Sequence, residues 1–268
     1  MLLAIDSGNT NIVFAVFSDT GVLHGEWRAG AESNRTADEF GVWLTQLLEK
    51  EGIEKQKITS AILATVVPDN LAHLKLLCLK YFNCDAMVIG DPEVELGLEI
   101  LIDHPREVGA DRLCNAVAAH DTYGGPLLVL DFGTATTFDV INNEGDYCGG
   151  AIYPGINLSL EALHHGAAKL PRVAIDKPDS VIGKDTVSAM RSGIFWGHVS
   201  MIEGMVARIS NEFGCSMKVV ATGGLANLFH TSCDAIDICD PSLTLRGLFT
   251  IFKANEKLRD INRYSPGK

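Results

Sequence analysis

The sequence predicts an α/β fold in which one domain is duplicated around a central cleft. Strand-like runs alternate with helical ones along all 268 residues, a pattern that favours layered α/β architectures. The opening LLAIDSGNTNIVFAVFSDTG also returns from Leu127 as LLVLDFGTATTFDVINNEG. An apolar strand, an Asp-x-Gly turn and a returning strand therefore occur twice. No Gly/Ser-rich or Pro-rich linker parts the chain, so the repeat alone sets the boundary. It falls near Asp121 to Pro126 and gives domains of residues 1–122 and 123–268.

The first half begins as a hairpin. Leu2 to Asp6 is apolar up to its carboxylate, Ser7 to Asn9 turn the chain, and Thr10 to Phe17 return it to a second turn at Ser18 to Gly21. In RTADEFGVWLTQLLEKEG, Thr36 and Glu39 have capping-box spacing, and Phe40, Trp43, Leu44, Leu47 and Leu48 form one helical face that ends near Gly52. A strand at Ile58 to Val67, a helix at Asn70 to Phe82 and a strand at Ala86 to Ile89 follow. The second half repeats the hairpin, then adds helices at Leu158 to Ala168 and Thr186 to Phe213, a strand at Lys218 to Ala221 and a terminal helix from about Thr244.

Composition narrows the function. With 34 acidic against 22 basic residues the net charge is -12, which disfavours nucleic acid as a partner because counterion release needs clustered Lys and Arg. An anionic ligand must be held by local devices such as backbone amides, helix N-termini and bound cations. The longest apolar stretch, AILATVVP, falls well short of the roughly 20 residues that span a bilayer, and Met1 leads into strand-like sequence without a basic leader. No membrane partner and a cytoplasmic location are expected. Seven cysteines without any CxxC argue against a disulfide framework or a zinc site.

Asp6 ends a strand, and Gly8-Asn9-Thr10 can turn successive N–H groups outward. Amides aimed at one point beside a carboxylate make a seat for a phosphate and its Mg²⁺. One such turn reads as a simple hairpin; two copies at the starts of two halves favour the phosphate seat. Asp131 lies in DFGTATT, where Thr134, Thr136 and Thr137 offer hydroxyls close to one carboxylate, a set suited to a hard cation. Absence of HRD and of a Gly-rich loop excludes the protein-kinase meaning of DFG. In HPREVGADRLCNAVAAH, Pro105 and Gly109 lead into a helix whose first turn carries Asp111 and Arg112. The helix dipole keeps such a carboxylate ionised and able to accept a hydroxyl proton, and the arginine can grip a substrate carboxylate. Thr222-Gly223-Gly224 would let a nucleotide approach the backbone closely, a weak signal by itself, as are the glycines of GGAIYPGI. His164 and His165 lack metal-ligand spacing.

Taken in order, DSGNTN, GADR, DFGTATT, GGAIYPGI, AKLP, GKDT and ATGG resemble the bacterial type III pantothenate kinases from Met1 to about Asn255. That family belongs to the acetate and sugar kinase, heat-shock and actin-like superfamily, so the resemblance implies duplicated ribonuclease-H-like (actin-like ATPase) domains. It also implies ATP-dependent phosphorylation of pantothenate to 4'-phosphopantothenate, the first step of coenzyme A biosynthesis, by a homodimer. Carried over by position, Asp6, Ser7, Gly8, Asn9, Thr10, Asn11, Ile12 and Val13 would line the ATP phosphates, with Asp6 near Mg²⁺ and Thr134 also touching ATP. Gly109, Ala110, Asp111 and Arg112 would contact pantothenate, and Asp111 would be the base. Asp131 would bind the K⁺ or NH₄⁺ ion the family requires, and Thr186 would reach pantothenate across the dimer interface. One departure is visible: Ile102 stands where many relatives have a tyrosine near the substrate.

Two rival functions follow from the same resemblance. A nonenzymatic regulator of the Bvg accessory factor type lacks support from any DNA-binding motif. An ATPase or phosphatase on the same fold would use water as nucleophile. Asp111 and Arg112 favour the kinase, because GADR supplies a base and a substrate grip together.

Overall fold

The computed structural model describes residues 1–31, 35–166 and 170–264, the last five of these in backbone only. Ala168 and Lys169 of AKLP, and with them the expected end of the helix from Leu158, lie outside the described residues. The chain forms two compact units. One comprises Met1–Glu99, Asp103–Ala118 and the segment from Leu243; the other comprises Ile100–Ile102 and Ala119–Ser242.

In the first unit, β1 (Leu2–Ser7), β2 (Asn11–Phe17), β3 (Leu23–Gly30), β4 (Ser60–Thr65) and β5 (Ala86–Val88) form one sheet in the order β3-β2-β1-β4-β5. The first three strands run antiparallel through tight turns. β4 and β5 are parallel additions, reached through α1 (Ala37–Lys50) and α2 (Pro68–Phe82), as parallel pairing requires. α1 starts at the expected capping box: Thr36 accepts from the Glu39 amide, and the Glu39 carboxylate accepts from the Thr36 amide. Strand alternation divides the apolar residues between two layers. Leu3, Ile5, Ile12, Phe14 and Val16 pack with Phe40, Leu44, Leu48, Leu74 and Leu77 of the two helices. Leu2, Ala4, Val13, Ala15 and Phe17 instead meet Leu245, Leu248 and Ile251. The terminal helix, expected with the second half, thus packs with the first because its apolar residues cover the open face of that sheet.

α3 (Ala110–Tyr123) precedes the second copy, which runs β6 (Leu127–Phe132), β7 (Ala135–Ile141), β8 (Tyr147–Pro154), α4 (Ile156–Gly166), α5 (Thr186–Phe213), β9 (Lys218–Gly223), α6 (Ala226–His230) and β10 (Ile238–Cys239) before α7 (Leu243–Tyr264). Its sheet has the order β8-β7-β6-β9-β10, strand for strand the order and directions of the first. Leu128, Leu130, Phe138 and Val140 pack there with Phe195, Val199 and Ile202 of α5. β1 and β6 share even their burial sequence, in which only the aspartate is half-exposed. β3 and β8 were not expected from the sequence. Both are edge strands with largely exposed side chains, so neither carries a strong apolar alternation. No described helix is long and apolar enough to cross a membrane, and all seven cysteines are free thiols.

Candidate functional site

In the first unit the four residues Leu2 to Ile5 are buried and hold β1 in the sheet centre, which delivers Asp6 to the strand end. The turn closes through the Gly8 amide, which donates to the Asn11 carbonyl at 3.0 Å. Asn9, Thr10 and Asn11 are left exposed. Ser7 is fully buried and accepts from the Asn70 side-chain amide at 3.3 Å. Ile12 is fully buried in the core, so only its backbone is open to a ligand. Asn70 in the first turn of α2 was not singled out from the sequence, where a polar residue at a helix start reads as a cap.

The GADR segment sits at the first turn of α3. Asp111 accepts from the Arg112 amide at 2.8 Å, and a Cβ added at Gly109 would lie 2.5 Å from Asp111 Oδ1. Glycine is therefore what lets the carboxylate fold back over the helix start. Burial raises the Asp111 pKa above the ordinary carboxylate value, opposed by the Arg112 amide and guanidinium. Cys114, one turn further on, is fully buried. Burial pushes its thiol well up, and the charges of Asp6 and Asp111 push it further. Geometry joins the two segments: a Cβ at Gly109 would lie 3.5 Å from Val66 Cγ1, and the Val66 amide donates to the carbonyl of Ser7, next to Asp6, at 3.1 Å, although the two segments are far apart in sequence.

In the second unit Asp131 occupies the strand end equivalent to Asp6, and the turn closes through the Gly133 amide, which donates to the Ala135 carbonyl at 3.0 Å. Gly133 and Thr134 are exposed. Glycines from two other motifs wall this turn. The Gly155 amide donates to the Thr134 carbonyl at 3.0 Å, and a Cβ there would come within 2.3 Å of that oxygen. Gly223 adopts φ +90°, and a Cβ there would meet Asp131 Oδ1 at 2.5 Å. The expected convergence of three hydroxyls is not found. The pleat turns Thr136 into the core, where its hydroxyl bonds His198 Nε2 at 3.1 Å, while the Thr137 hydroxyl donates to Asp139 at 2.9 Å. Thr134 alone remains on the open turn. His198 is held neutral, its pKa lowered by burial to about 4.

Thr186 opens α5 but does not cap it. Asp185 does, accepting from the Ser188 amide at 2.9 Å in a capping box. Thr186 is exposed in the first turn. Ile102 lies against Gly149 in the second unit, where its Cγ2 would be 3.4 Å from an added Cβ.

Among the described residues no three His, Cys, Asp or Glu side chains group as metal ligands. Asp6 and Asp131 are each a single carboxylate beside an exposed turn, a donor set that suits a hard cation shared with phosphate oxygens or water rather than an all-protein cage. A cavity of about 360 Å³ lies elsewhere, at the start of β4 and β5 among Ser60, Met87, Phe252 and Arg259. Asp6 pairs near the other end of β4.

Residues 2–208 match the family model described as type III pantothenate kinase. The chain is 64% identical over 255 residues to the type III pantothenate kinase of Paramagnetospirillum magneticum, covering 95% of this chain and 98% of that one. Among solved structures, a Baf family protein from Campylobacter jejuni superposes with TM-score 0.60 at 22% identity, covering 95% of this chain and 99% of that one. The activator of the 2-hydroxyisocaproyl-CoA dehydratase from Clostridium difficile, solved with bound ADPNP, gives TM-score 0.55 at 12% identity over 100% and 98% of the two chains. These likenesses agree with the duplicated α/β fold expected from the repeat and with the actin-like, ribonuclease-H-like units that the resemblance implied.

Proposed function

The chain belongs to the type III pantothenate kinase family, phosphotransferases that act on pantothenate in coenzyme A biosynthesis, and on that premise we propose that Asp111 is its catalytic base. Its carboxylate takes the proton of the pantothenate primary hydroxyl, and the freed oxygen attacks the γ-phosphorus of ATP. The bond from that phosphorus to the β,γ-bridging oxygen breaks, and ADP leaves with the electron pair. Positioning and charge neutralisation supply most of the acceleration in such transfers.

The observation that supports this reading is the approach of Gly109 to Val66, whose amide bonds the Ser7 carbonyl, so that the GADR segment lies next to the turn suited to phosphates. Asn9 to Asn11 hold the β- and γ-phosphates, with backbone from Ser7 to Val13 shaping the turn, and Thr134 adds a hydroxyl. Asp6 would face a bound Mg²⁺, which would neutralise phosphate charge, and Asp131 would hold a monovalent cation, K⁺ or NH₄⁺. Gly109, Ala110 and Arg112 bind pantothenate, the guanidinium pairing with its carboxylate. Thr186 reaches the pantothenate of a second subunit in a homodimer.

Purified protein assayed with ATP and a panel of hydroxy acids tests the whole scheme. Phosphorylated product should form with pantothenate and not with the other acids. ADP release without any alcohol would replace the kinase by an ATPase, and no turnover with any substrate would favour a regulator.

A further inference from the structure

β3 brings an arginine into line with the phosphate turn. Asp6 pairs with Val13 across β1 and β2, and Val13 pairs with Arg28 across β2 and β3. Residues directly opposite one another in a sheet project from the same face, so Asp6, Val13 and Arg28 form one row over three strands. Val13 belongs to the layer that also contains Ala110 and Cys114 of α3, which places the row on the Asp111 side of the sheet. Two strand spacings separate the backbones of Asp6 and Arg28, about 10 Å, a gap that an arginine side chain and a triphosphate close between them.

The direction of Arg28 is fixed by its neighbours. Trp27 and Ala29 point to the opposite face and pack in the α1 and α2 core. Gly25 makes room for the indole, since a Cβ there would lie 2.5 Å from the Trp27 ring. A one-residue slip would expose both apolar side chains and bury the guanidinium. Arg28 is exposed, and no described residue forms a hydrogen bond or ion pair with its guanidinium. A cation so directed in a chain of net charge -12, unpaired among the described residues, is available to an anion.

We infer that Arg28 is a further ATP-binding residue, whose guanidinium pairs with a phosphate of the nucleotide held over the Asp6 turn. This rests on the kinase reading above. The plain alternative is a charge that protects an edge strand from pairing with other chains.

The experiment measures binding of a nonhydrolysable ATP analogue by calorimetry, together with KM for ATP, KM for pantothenate and the thermal midpoint, in Arg28→Ala and Arg28→Lys. Charge-assisted hydrogen bonds are strong enough that Arg28→Ala should weaken analogue binding about tenfold or more. KM for ATP should rise in parallel, with KM for pantothenate and the thermal midpoint unchanged. Arg28→Lys should recover part of the loss. Analogue binding within twofold of the parent protein overturns the inference, and so does a loss confined to pantothenate or accompanied by a lowered midpoint. Because the analogue needs no acceptor, its binding tests Arg28 even if the parent protein fails to phosphorylate pantothenate.

Discussion

Gly223 lies so close to Asp131 that a single added methyl would sit 2.5 Å from the carboxylate oxygen. The parallel pairing of β6 with β9 sets Phe132 opposite Gly223, and Gly223 there has a positive φ that a side chain would strain. The TGG motif therefore shapes the second turn by leaving space beside it.

Gly223→Ala should lower stability by about 1–3 kcal/mol, the usual cost of a side chain in a strained, crowded backbone position, and should reduce activity further by displacing Asp131. Gly224→Ala is the control, since among the described residues no atom beyond its chain neighbours lies within 4 Å of a Cβ there. Thermal denaturation of the two variants checks the pair. Equal midpoints would mean that the backbone at Gly223 relaxes freely.

Asp111→Asn should keep the fold and analogue binding and lose about 10²–10⁴-fold in turnover, the usual worth of a general base. Burial raises the Asp111 pKa, so the acid limb of kcat/KM, which reports the free enzyme, should lie above the ordinary carboxylate range, because the base works only when ionised. For stability the sign is opposite to that of a salt-bridged aspartate. The cost of the buried charge is fully present above the raised folded pKa and is relieved as pH falls through it. At neutral pH the variant should therefore be no less stable than the parent. A rate profile measured beside a thermal midpoint series tests both halves.

Activity should require K⁺ or NH₄⁺ and fall when Na⁺ replaces them, because the smaller ion draws its oxygen ligands inward and disturbs the neighbouring phosphate turn. Asp131→Ala should weaken that dependence and ATP use together. Equal initial rates in the three chloride salts would count against a monovalent site.

Asp185→Ala should lower the thermal midpoint by about 2–4 °C, as loss of a helix cap does in a protein of this size. Thr186→Ala should leave the midpoint unchanged, because the cap is its neighbour, and should raise KM for pantothenate alone. At a pantothenate concentration low enough to silence Thr186→Ala, mixed dimers of Asp111→Asn and Thr186→Ala subunits should regain activity, since one of their two pockets is intact. If exchange is demonstrated and the mixture stays inactive, Thr186 does not serve a shared site.

Much of this was legible in the sequence. Asp6 and Asp131 stood out because a buried strand rarely ends on a carboxylate before a glycine turn, and the Thr36 cap because its box is local. What escaped depends on direction and distance. Thr136 and Thr137 are adjacent in sequence, yet the pleat sends one hydroxyl to His198 and the other to Asp139. The Asn70 contact with Ser7 crosses from α2 to β1, so no local pattern announces it. LHGEWRAG of β3 faces solvent along much of its length, which removes the alternation by which a strand is read.

The packing of α7 on the first sheet makes completion of that unit a matter of timing during synthesis. β1 to β5 are all made by Val88, but Leu245, Leu248 and Ile251, which cover the Leu2, Ala4 and Ala15 face, emerge roughly 160 residues later, about 10–30 s at ordinary elongation rates. For that interval α3 supplies Ala110 and Cys114 to the face, but the part that α7 covers stands bare on the nascent chain. Premature termination after β10 would fix it in that condition, leaving a product with every strand of both sheets and a surface fit for chaperones or aggregates.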